Sequence, residues 1–75
     1  MSTILQYTVI AHEAEEGGYW TEVLGLAGAG SQGDTLDEAI ENTKESIQLV
    51  LETMREQGQE IPVPHDVVVK VTVAA

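Results

Sequence analysis

A chain of 75 residues with 13 acidic against 3 basic side chains, a formal net charge of −10, has room for one domain with a small core and no cationic footprint for a phosphate backbone or an anionic membrane surface. With no cysteine, it has neither a disulfide framework nor thiolate chemistry. No leader-like pattern opens it and no run approaches the roughly 18 apolar residues of a spanning helix, so a cytoplasmic location is expected.

Leu5, Tyr7, Val9 and Ala11 alternate with Gln6, Thr8 and His12, the two-residue period of a half-buried strand. Glu15-Glu16-Gly17-Gly18 interrupts it with glycines suited to a hairpin loop, so Tyr19 to Leu24 is expected to return antiparallel, with Tyr19, Thr21 and Val23 sharing a face. The glycine-rich stretch from Gly25 to Ser31 leaves room only for a short edge strand, Ala29 to Gln32. Thr35 and Glu38 then form a capping-box pair, in which each side chain satisfies an otherwise unpaired N–H at a helix start. Leu36, Ile40, Thr43, Ile47, Val50, Leu51 and Met54 trace one helical stripe, and Gly58 is placed to terminate the helix near Gln57, ahead of Pro62. Val67, Val69, Val71 and Val73 alternate with Val68, Lys70 and Thr72 as a last strand. The predicted order is β-β-β-α-β. This makes an α+β two-layer sandwich, one long helix on an antiparallel or mixed sheet, with residues 1–75 as a single domain.

Two surfaces stand out as candidates. The sheet face away from the helix carries Ile4, Gln6, Thr8, Ile10 and His12 beside Trp20, Glu22 and Leu24, which is too apolar for a plain solvated face. Ile10, Trp20 and Leu24 are therefore candidates for self-association, through a sheet face or edge, as a dimer or tetramer. On the helix, Asp37, Glu41, Glu45, Gln48, Glu52 and Glu56 follow at spacings of three and four and make an acidic ridge. The helix N-terminus favours the early carboxylates, but Glu52 and Glu56 oppose the helix dipole, and each like-charged neighbour pair costs a few tenths of a kcal/mol. An ordinary solvated face explains the first group better than the second. Glu45, Glu52 and Glu56, with Trp20 as an apolar anchor, are the candidate partner-binding residues for a basic surface, where such charge mainly raises the association rate.

Catalytic constellations are not in evidence. Two-metal hydrolysis needs converging carboxylates, whereas Glu13, Glu15 and Glu16 crowd a hairpin tip and Asp34 and Asp37 flank a helix cap. His12 and His65 form no metal motif, Ser2, Ser31 and Ser46 have no adjacent base, and the glycines spell no phosphate cradle. No catalytic residue, metal or cofactor is expected.

The glycine hairpin Gly17-Gly18-Tyr19-Trp20, Gly28, Gly33-Asp34-Thr35, Glu38-Ala39 and the exit Ile61-Pro62-Val63-Pro64 form a combination that, from Tyr7 to Pro64, resembles the HicB-like antitoxin family. The resemblance implies a partial ribonuclease H-like fold without that enzyme's catalytic acids, and a non-enzymatic role. It implies as partner a small basic HicA-type toxin, an RNA-cleaving protein with a double-stranded-RNA-binding-like fold, whose catalytic histidine or RNA surface is covered. Leu24 and Ala27 stand where many members have prolines. Many full-length antitoxins of this kind append a ribbon-helix-helix or helix-turn-helix domain; this chain stops at Ala75, so autorepression by it alone is not expected. The alternatives are a stand-alone structural or regulatory homo-oligomer without a toxin and, behind it, a degenerate ribonuclease H-like nuclease relying on Glu13 or Asp34.

Overall fold

The computed structural model describes residues 4–75. Three strands, β1 (Val9–Glu13), β2 (Tyr19–Val23) and β3 (Gln32–Gly33), are followed by one helix, α1 (Leu36–Glu56). The strands form an antiparallel sheet in the order β1-β2-β3. The architecture is α+β, with α1 laid across one face of the sheet.

The hairpin forms where the glycines allow it. Gly17 and Gly18 take φ of 97° and 79°, the loop closes through Ala14 N–H to Gly18 O at 3.0 Å, and Glu13 pairs with Tyr19. β1 begins at Val9 rather than Leu5, because the last residue of β2, Val23, is opposite Val9 and leaves residues 4–8 without a ladder beyond Leu24 N–H to Thr8 O at 2.9 Å. β3 falls at Gln32–Gly33 rather than from Ala29 to Gln32. The glycine-rich loop instead turns twice and sends Leu26 and Ala29 into the core beside Val23. Tyr7, Val9, Ile47, Val50, Leu51 and Met54 pack around those three.

The helix boundaries follow their local signals. Glu38 N–H donates to Thr35 Oγ1 at 3.1 Å, while the Glu38 carboxylate accepts from Asp34 N–H at 3.2 Å, one residue earlier than an ordinary capping box. At the other end Gly58 takes φ of 70°, Gly58 N–H donates to Arg55 O at 3.1 Å and Gln59 N–H to Met54 O at 2.8 Å. That pair of bonds is a Schellman closure, which needs a left-handed residue where glycine stands. Leu36, expected on the apolar stripe, is 45% exposed at the first helical position, and Ala39 is buried in its place.

The expected fourth strand is not formed. Residues 59–75 carry no strand, and Val67, Val68, Val69, Val71 and Val73 are all exposed. Alternating valines make a strand only when an edge supplies the ladder and a face supplies the packing. Here the chain is tied back once, by Tyr7 Oη–H to Pro62 O at 2.6 Å, and past Asp66 it no longer follows the sheet.

Candidate functional site

What fixes the helix on the sheet is a polar contact in the interior. Thr43 is 1% exposed; its hydroxyl lies 2.6 Å from Ala39 O and 2.7 Å from Thr21 Oγ1. Ser31 N–H donates to Thr21 Oγ1 at 2.8 Å. Thr21 Oγ1 also lies 3.2 Å from Ser31 O, so either hydroxyl can donate in the contact between the two, and every member is satisfied in both arrangements. Asn42 adds a bond from its side-chain amide to Gln32 O at 2.8 Å. Because Thr21 faces α1, its strand neighbours Trp20 and Glu22 face away.

That outer face is built by cross-strand pairing. His12 lies opposite Trp20 and Ile10 opposite Glu22. The His12 and Trp20 rings stack with centroids 4.1 Å apart at 22°, which holds the indole flat on the sheet while leaving Trp20 45% exposed. Ile10 is exposed beside them. His12 Nε2 lies 3.5 Å from Glu22 Oε1 without forming a hydrogen bond. Leu24 is half-buried in the turn after β2, at the margin of the face.

The ridge occupies the opposite side of the molecule. Asp37, Glu41, Glu45, Gln48, Glu52 and Glu56 lie along α1, with the five carboxylates exposed on the side away from Ala39 and Thr43. Asp37 to Glu56 spans about 28 Å at 1.5 Å per residue. Among the described residues the one cation paired with it is Lys44, 3.1 Å from Glu41 Oε1. Glu45, Glu52 and Glu56 thus share one surface, and the structure does not bring Trp20 to them: the whole two-layer thickness lies between. Among the described residues, no three His, Cys, Asp or Glu side chains could hold a metal ion together. Alternation along the strands put His12 and Trp20 on one face without giving His12 a role; the stack depends on strand register, which a five-residue loop sets.

A family model described as "HicB_like antitoxin of bacterial toxin-antitoxin system" matches residues 7–73, a span that takes in the hairpin, the cap and the whole of α1. The chain belongs to the HicB-like antitoxin family. Similar chains include the UPF0150 protein ssr1765 of Synechocystis, 40% identical over 89% of this chain and 84% of its own length, and the UPF0150 protein Ta0767 of Thermoplasma acidophilum, 38% identical over 77% and 84%. A second Synechocystis protein, ssl0738, is 45% identical over 63% of this chain and 65% of its own. HicB-like membership points to a toxin-antitoxin role and, in general terms, to a toxin as partner. Among the described residues, no helix is long and apolar enough to cross a membrane.

Proposed function

We propose that this chain is a non-enzymatic antitoxin that neutralises a small basic RNA-cleaving toxin of the HicA type by docking it on the carboxylate ridge of α1. The observation that carries this reading is the ridge itself: a row of exposed acids along the outer side of a helix whose two basic residues, Lys44 and Arg55, compensate it only in part. A helix that served as surface alone would gain from cations near its C-terminus, where Arg55 is outnumbered by Glu52 and Glu56. A basic RNA-binding surface supplies those cations, and covering that surface blocks the RNA. Because two layers separate it from the ridge, Trp20 has a different role. With Ile10 and the neighbouring Leu24 it forms a contact between copies of the chain on the outer sheet face, leaving the ridge open.

The test is the association rate with the toxin at low ionic strength. Glu52→Lys with Glu56→Lys slows association by about tenfold and flattens its salt dependence, the scale of electrostatic steering. An unaltered rate would make the ridge solvated surface only.

A further inference from the structure

β1 is an edge strand, and beside it runs an open groove. Ile40, Ile47 and Leu51 of α1 line it from below, and the segment from Leu5 to Thr8, with Val9 at the start of β1, forms its wall. The root of the C-terminal segment reaches the groove at Val63, Pro64 and Asp66 and then leaves it, so that Val67, Val69, Val71 and Val73 are 70–85% exposed. The same chain therefore carries a strand-patterned segment without a sheet and a sheet edge with an apolar floor but without a strand.

We infer that residues 67–73 of one copy lie along the β1 edge of a second copy and fill its groove, the exchange being reciprocal. The valine alternation suits this place, because a strand of seven residues, about 23 Å long, lays one face on the helix floor and turns the other outward. Its own groove is the less suitable one: Tyr7 ties the chain at Pro62 O, Pro62 and Pro64 stiffen the next residues, and the valines beyond them stand exposed. A short stiff hinge followed by a strand is the geometry that favours exchange between copies. Charge favours it as well. Lys70 is the one charged side chain of residues 67–73 and the one Lys or Arg outside α1, so this segment is the part of the chain least repelled by a second copy of net charge −10. The buried core of one copy is small, with Val23, Leu26, Ala29 and Ala39 its buried apolar residues among those described, and the incoming valines extend it. Of the ridge, Gln48 and Glu52 line the groove and Glu45 and Glu56 do not, so strand exchange is distinguished from toxin docking by substitutions at Glu45 and Glu56 rather than at Glu52.

The experiment uses the full unmodified chain, mixed from isotopically labelled and unlabelled copies, in filtered NOE spectroscopy with sedimentation for mass. A dimer with intermolecular contacts from the Val69 and Val71 methyls to Ile47 and Leu51, and with slowed amide exchange at 67–73, is the expected result. Val69→Asp with Val71→Asp weakens the dimer by at least about a hundredfold while α1 keeps its circular dichroism. A monomer, a dimer whose valine contacts are all intramolecular, or a dimer in which 67–73 exchanges freely would each overturn the inference.

Discussion

The hydroxyl chain between sheet and helix makes two threonine substitutions unequal in cost. Thr43→Val removes one partner of the Thr21 hydroxyl, but that hydroxyl also has a carbonyl within reach, Ser31 O at 3.2 Å, and Ala39 O keeps its helical bond. The cost is one net hydrogen bond, about 1 kcal/mol. Thr21→Val strands the Ser31 N–H, which loses its 2.8 Å acceptor in a partly buried position, and the desolvation of an unpaired donor adds about 1–3 kcal/mol. The expected loss is about 2–4 kcal/mol, a large part of the roughly 4–11 kcal/mol available to a chain of this length. Urea unfolding at fixed protein concentration, followed by the helix signal, resolves the difference; in thermal unfolding each kcal/mol moves Tm by about 4–8 °C. Protein concentration must be held constant because association contributes to apparent stability. A Thr43→Val cost equal to or above that of Thr21→Val would refute the part given to the Ser31 N–H, and two neutral variants would refute the role of the hydroxyl pair in holding α1 on the sheet.

Other substitutions probe the elements that carry the surfaces. Thr35→Ala removes the helix cap and with it about 1 kcal/mol, seen as a lower urea midpoint with unchanged slope. Gly33→Ala would place a Cβ 2.5 Å from Ala39 N and 2.9 Å from its Cα, against backbone that cannot yield, so a loss of about 2 kcal/mol or more is expected where β3 meets α1. Trp20→Ala exposes the sheet face without touching the core; it should weaken self-association by more than about 1 kcal/mol in a concentration series, with a smaller effect on unfolding.

Elements encoded in local chemistry were legible. Gly17-Gly18 announced the hairpin, Thr35 with Glu38 the helix start and Gly58 its end, because each sets a backbone geometry within a few residues. The glycine-rich loop was not, since Leu26 and Ala29 reach the core through turns that follow no period. The last strand was overdrawn for the opposite reason: its pattern is strong, but a strand exists only when a distant edge receives it. For the surfaces, spacing alone placed the ridge and alternation alone exposed Trp20. Their separation followed from the same alternation, which set Trp20 on the face away from the helix; what the spacing did not show is that a buried polar pair, Thr21 with Thr43, joins helix and sheet beside the apolar contacts. The same register that separates them stacks His12 on Trp20, a contact visible only once the hairpin is closed.

If this chain silences an RNA-cleaving protein by binding it, the two should be recoverable together. Native lysate is passed over the immobilised chain at low salt and eluted with rising salt, and the eluted protein is assayed for RNA cleavage with and without added chain. The expected result is a small basic protein, released by salt, whose cleavage stops when the chain is added back. Recovery of the chain alone, or of a basic protein whose cleavage continues at full rate in its presence, would contradict the antitoxin function.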